Sequence, residues 1–183
     1  MKIILISLLI SLSCLAEYKV SVFLGKEADA KYKADMDYPF GIEFDSKGNM
    51  YVVEYDGSCV DVLSDKGEFT KLGGDGSRNF AVENGPIKNA KFNGLHNVII
   101  DAEDNVYVTD TFNNVLRRYD PKTGTISNFV GGKVGFSGDG GQAKSSAWNQ
   151  LYCAAWNTDK SKIYIADLKN NRVRCVDFKT GIV

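Results

Sequence analysis

One segment of this chain occurs three times in phase, and that repetition constrains the fold more than any other feature. Residues 38–54 (YPFGIEFDSKGNMYVVE) recur as 94–110 (GLHNVIIDAEDNVYVTD) and again as 151–167 (LYCAAWNTDKSKIYIAD). Tyr51, Tyr107 and Tyr164 step by 56 and 57 residues; Glu54, Asp110 and Asp167 keep the same steps, and Gly67, Gly124 and Gly181 follow at 57 each. A repeat of this length is one supersecondary unit that buries its apolar face only against a neighbouring unit.

Each unit predicts four short strands. The first is apolar, as in Gly41-Ile-Glu-Phe44 and Val98-Ile-Ile100, and ends at a turn rich in Asp, Gly and Asn (45–49, 101–105). The second alternates large β-formers in Met50-Tyr-Val-Val53 and Val106-Tyr-Val-Thr109. A polar turn follows the carboxylate, and a third strand runs through 60–63, 115–119 or 173–176. After a Lys-Gly or Thr-Gly turn comes a fourth, at 68–72 or 125–130. Four antiparallel strands per unit, repeated radially, make an all-β propeller, in which only short edges are left unpaired. Helical solenoids are excluded, because no stretch holds a helical apolar period long enough.

Pro39-Phe-Gly41, Asp45 with Gly48-Asn49, Tyr51-Val52, and Asp167 with Asn170-Asn-Arg-Val173 resemble the NHL repeat, and the linker Gly138-Asp-Gly-Gly-Gln-Ala143 resembles the connector between such blades. The resemblance covers roughly residues 20 to 183. It implies a β-propeller with four-stranded antiparallel blades, of which about three NHL-type repeats are present, at about 38–74, 92–132 and 148–183 within a domain spanning 17–183. The third unit departs from the pattern, with Leu151-Tyr-Cys-Ala154 in place of Pro-x-Gly. Segment 18–25 resembles a fourth strand of the kind that closes such a ring, and NHL propellers are six-bladed by resemblance. Three blades alone would leave apolar side faces and edge strands exposed. Two expectations stand: the sequence is a fragment of a longer propeller, or two chains pair into one ring by self-association.

The first residues carry the layout of a secretory signal, residues 1–16: Lys2, an apolar run from Ile3 to Leu12, then small residues at Cys14 and Ala16 before Glu17. As a membrane span this run is short, since a helix needs about 20 apolar residues to cross. The expected location is secreted or periplasmic, with acylation at Cys14 as the alternative. With 22 Lys+Arg against 23 Asp+Glu and no basic run, nothing marks a nucleic-acid partner. Cys59, Cys153 and Cys175 fit neither a metal motif nor a full set of pairs, and read as small buried hydrophobes.

Chemistry has few places to sit. His96 is the single histidine, and it aligns with Phe40 and Cys153 at the start of each first strand, near a propeller's central channel. Phe40, His96, Asn97 and Cys153 are therefore the expected binding residues at the channel rim, with no catalytic residue, no metal ligand set and no cofactor assigned. Glu54, Asp110 and Asp167 read as acceptors for the backbone amides of the turn that follows each. The expected function is an exported binding scaffold for a protein, peptide or glycan, acting through its loops and channel mouth. The resemblance also implies an enzymatic alternative: a metal-dependent lactonase of the gluconolactonase kind, with Asn97 and Asn157 as conceivable ligands, or a peptide-amidating lyase, which would use several His.

Overall fold

The computed structural model describes residues 21–28, 33–80 and 83–183. The expected signal at 1–16 and the start of the 18–25 segment lie outside them. All described regular structure is strand, apart from short 3-10 turns. No helix among the described residues is long and apolar enough to cross a membrane.

Blade 1 is an antiparallel sheet of β1 (Pro39–Phe44), β2 (Met50–Glu54), β3 (Val60–Leu63) and β4 (Phe69–Gly73), in chain order. Ahead of blade 2, connector strand β5 (Asn84–Pro86) pairs onto that blade's outer edge. Blade 2 then follows as β6 (Leu95–Ile100), β7 (Val106–Asp110), β8 (Val115–Asp120) and β9 (Thr125–Gly131). A second connector carries a small parallel pair, β10 (Lys133–Val134) with β11 (Ala147–Trp148). Blade 3 presents β12 (Leu151–Trp156), β13 (Lys162–Asp167) and β14 (Arg172–Asp177). The described residues of the 18–25 segment, 21–25, form no strand; Leu24 packs with Met36 on the outer face of blade 1.

The two-residue period of a strand builds the interfaces between blades. On β7, Val106 and Val108 face blade 1, where they join Tyr51, Val53 and Phe92; Tyr107 faces blade 3, with Leu116, Trp148, Ile163 and Ile165. On β2, Tyr51 and Val53 point toward blade 2, and Met50 and Val52 point away from it. The innermost strands stand side by side, with β6 between β1 and β12. Gly41 permits that approach, since a Cβ there would lie 3.1 Å from Asn97 Cα and 3.2 Å from the His96 carbonyl. As expected of so few blades, Phe40, Ile42 and Phe44 on β1 and Val173 on β14 remain exposed.

One polar interaction recurs in all three blades. The carboxylate ending each second strand accepts a backbone N–H from two residues before the first strand: Asp37 to Glu54 (3.0 Å), Asn93 to Asp110 (2.8 Å), Asn149 to Asp167 (2.8 Å). The expected donors were amides of the following turn. That turn instead supplies side chains, Asn113 to Asp110 and Asn170 to Asp167 (both 2.9 Å). In blades 2 and 3 a buried arginine completes the group: Arg117 lies 3.8 Å from Asp110 and Arg174 lies 3.5 Å from Asp167. Neighbouring blades are also tied at equivalent left-handed residues. Ser58 Oγ accepts the Gly94 N–H (3.2 Å), and Asn114 Oδ1 accepts the Gln150 N–H (2.6 Å).

Blade 1 breaks the arginine rule, because Asp61 occupies the position of Arg117 and Arg174. Asp61 is fully buried beside Glu54, and among the described residues no group other than that carboxyl is within hydrogen-bond reach of its oxygens. Burial first, and then the Glu54 carboxyl, push its pKa up to about 8, against the pull of Lys71. Burial also pushes Asp110 up to about 7, opposed by Asn113, the Asn93 N–H and Arg117. Between the unfolded value of 3.8 and these values the folded chain retains protons that the unfolded chain has released. Stability therefore falls as pH rises through that window. Thermal unfolding should show a melting temperature that declines from pH 5 to pH 8.5, and Asp61→Asn should flatten the upper part of the decline. A melting temperature that rises over this range would contradict the assignment.

Candidate functional site at the channel rim

The start of β6 carries His96, and four aromatic side chains from three blades converge on it. Phe40 comes from β1, Tyr55 and Phe112 from the turns after β2 and β7, and Tyr152 from β12. Their ring centroids lie 4.8, 4.8, 6.0 and 4.0 Å from the imidazole, respectively. Phe40, Tyr55 and Phe112 meet it edge-on, whereas Tyr152 is tilted by 37°. Edge-on aromatic contacts favour the ring quadrupoles and hold the cluster in one geometry. Phe40 is 53% exposed, so the cluster presents ring surface to solvent while the imidazole beneath is 5% exposed. Arg78 caps one side, its guanidinium 4.7 Å from the Tyr55 ring centre and paired with Asp56.

The hydrogen bonds around His96 define its tautomer. Thr111 donates its hydroxyl to the Leu151 carbonyl (2.7 Å), so Thr111 Oγ1 meets His96 Nδ1 (2.8 Å) as an acceptor. The Gly94 carbonyl, 3.1 Å from the same nitrogen, can only accept. Nδ1 therefore carries the proton and Nε2 the lone pair. Burial holds the imidazole pKa below its ordinary value, with Arg78 adding to the effect and the Gly94 carbonyl opposing it. At neutral pH the ring is an uncharged acceptor.

The four expected site residues divide. Phe40 and His96 come together in the cluster. Asn97, one residue further along β6, faces a cleft of about 470 Å³ between the innermost strands, also lined by Ile42, Phe44, Ala155 and Trp156. Its Oδ1 is engaged by the Ala154 N–H (2.8 Å). Cys153 is exposed but is not the partner of His96 in the repeat. The backbone aligns Tyr38, Gly94 and Gln150, all at positive φ, so the residue equivalent to Phe40 and His96 is Tyr152. The extra residue of the third unit lies in the following turn, where Asn157 N–H reaches Lys162, against Asp101 to Asn105 in blade 2. A one-residue slip turns a strand side chain to the other face, which moves Cys153 out of the ring set. Asn157 closes its own turn through Lys162 and Ser161, away from any shared ligand set with Asn97. Among the described residues, no group of three or more His, Cys, Asp or Glu side chains stands together to hold a metal.

Sequence reasoning missed Tyr55, Phe112, Tyr152 and Arg78. A legible signal existed for two of them, since Tyr55 and Phe112 follow the repeated carboxylates by one and two residues.

No protein-family model matches the sequence, and no curated protein does either. Solved structures do. A structural-genomics protein of unknown function from Bacteroides thetaiotaomicron superposes with a TM-score of 0.64 at 22% identity, over 75% of this chain and 34% of that one. An auxiliary nutrient-binding protein from the same organism gives 0.60 at 20% identity, over 73% and 36%. Virginiamycin B lyase from Staphylococcus aureus gives 0.50 at 14% identity, over 78% and 39%. The chain has a propeller-type all-β fold. It spans little more than a third of the length of these structures, and at such identities the likeness concerns the fold alone.

The single histidine makes one measurement direct. In an untagged chain, the His96 Cε1 proton should titrate by NMR with a midpoint below the ordinary histidine value of 6.5. A midpoint at or above 6.5 would mean a solvated imidazole and would undo the tautomer argument.

Proposed function

We propose that this chain is an NHL-type propeller segment, exported by its N-terminal residues, that binds a glycan at the aromatic cluster around His96. The observation that carries the reading is the combination of ring surface and a neutral acceptor at one rim. The C–H faces of a sugar ring lie flat against aromatic rings such as Phe40 and Tyr55, where burial of apolar area favours association. Sugar hydroxyls need fixed polar partners to be oriented. His96 Nε2, which has no hydrogen-bond partner among the described residues, supplies an acceptor, and Arg78 supplies donors. Loops on a rigid β scaffold commonly carry binding, and Tyr55, Phe112 and Arg78 all lie on such segments.

A panel of neutral oligosaccharides, titrated by calorimetry, tests the proposal. At least one should bind, and Phe40→Ala and His96→Ala should each weaken it by about tenfold or more, as truncation of a central aromatic anchor commonly does. No binding by any neutral oligosaccharide, or binding unchanged in both variants, would overturn it.

A further inference from the structure

The two flanks of the molecule carry the two halves of an interface that occurs twice inside it. At each internal interface the preceding blade contributes its second-strand tyrosine, a residue of its third strand and the last apolar residue of its fourth strand. A large apolar residue at the end of the connector joins them. Against blade 2 these are Tyr51, Val60, Leu72 and Phe92, and they cover Val98, Val106 and Val108. Against blade 3 they are Tyr107, Leu116, Val130 and Trp148, and they cover Ala154, Ile163 and Ile165.

On the outer flank of blade 1, half of this set is in place. Leu24 and Met36 precede Gly25 and Asp37 as Leu72 and Phe92 precede Gly73 and Asn93, and they pack on Met50 and Val52. Beside them runs an apolar groove of about 290 Å³, lined by Val22, Leu24, Met36, Ile42, Met50 and Val52. No tyrosine or third strand covers it among the described residues. Ile42 is 60% exposed, whereas its counterpart Val98 is 2% exposed.

Blade 3 presents the complementary half. Tyr164 and Val173 repeat Tyr107 and Leu116, which are fully buried, yet they are 43% and 67% exposed. Among the described residues its sheet ends at β14, where blades 1 and 2 each add a fourth strand. Residues 21–25 (SVFLG) match 127–131 (SNFVG), which pair with β8 in blade 2, but they belong to no strand. One flank thus holds the residues of a fourth strand, and the other holds the sheet that such a strand completes.

We infer that a second copy of this chain covers both flanks: residues 21–25 of each copy pair along β14 of the other, and the groove of blade 1 seats against Tyr164 and Val173. The occupant is a copy of the chain because the surface that each flank needs is the one that the opposite flank exposes, down to the fourth strand. The chain runs from Gly25 through a connector to Asp37 as it runs from Gly131 to Asn149, so pairing on β14 leads blade 1 to lie beside blade 3. Contacts of this head-to-tail kind form rings when the rotation closes, and two of them join two copies into one ring. The pairing buries the open strand edge and both apolar faces, which a repeat unit can bury only against a neighbouring unit.

Sedimentation velocity of the full chain over a wide range of concentration provides the test, and a species of twice the chain mass is expected. Val173→Glu, at a position open to solvent in the single chain, should keep the fold by circular dichroism and raise the dissociation constant about tenfold or more, as loss of a central interface contact does. Ser21→Cys tests the strand pairing itself. The register of Arg118 with Ser127 in blade 2 places residue 21 of one copy opposite Cys175 of the other, whereas blade 2 separates the two positions within one chain. A short bis-maleimide should therefore yield a covalent dimer whose linked peptides join residues 21 and 175. A folded monomer at every concentration, an open series of larger species, association unchanged by Val173→Glu, or a dimer without the link between 21 and 175 would each overturn the inference.

Discussion

The structure depends on a buried carboxylate that is repeated once per blade. By accepting an N–H from just before the first strand, Glu54, Asp110 and Asp167 tie the end of the second strand to the start of the blade. Once ionised, a charge in that position is tolerable only because every blade brings amides to it and two bring an arginine. Breaking one partner of such a buried pair typically costs about 3–5 kcal/mol, since the other charge remains in a low-dielectric interior. This constraint explains why the carboxylate keeps phase with the repeat when the residues around it vary.

The latch also positions the rim. Residues directly after each carboxylate, Tyr55 and Thr111-Phe112, are led by the tied backbone toward the next blade. There Thr111 bridges His96 to the Leu151 carbonyl, so a hydroxyl from blade 2 holds both its own histidine and the first strand of blade 3. The aromatic cluster is thus assembled across three blades by the same turns that close them. His96 is the one imidazole of the ring set, and its orientation follows from the Gly94 carbonyl and the Thr111 hydroxyl.

Much of the fold was legible, because strand patterning and turn chemistry repeat: the four-strand units and the Asp45 and Asp101 turns follow from local sequence. Three features did not, each for a physical reason. The register of β12 depends on where the third unit's additional residue is absorbed, and the turn at 157–162, not the strand, takes it up. Connector strand β5 exists only because the edge of β9 offers it a ladder, which no local propensity encodes. The pairing of Asp61 with Glu54 joins positions that look unremarkable until the other two blades show an arginine there. Of the rim, Phe40 and His96 could be read from phase; Tyr152 was hidden by the register shift, and Arg78 by its place in a connector whose residues the second connector does not repeat.

The account's central claim is that the second-strand carboxylate and the third-strand arginine act as one buried unit holding blades 2 and 3. A double-mutant cycle on Asp110 and Arg117, with Asp110→Asn, Arg117→Met and the double variant compared by urea unfolding, measures it most directly. The account predicts that each single change is strongly destabilising and that the double variant recovers part of the loss, with a coupling energy of about 1–3 kcal/mol, as groups in one network show. Single effects that simply add, to within about 0.5 kcal/mol as for independent sites, would contradict it.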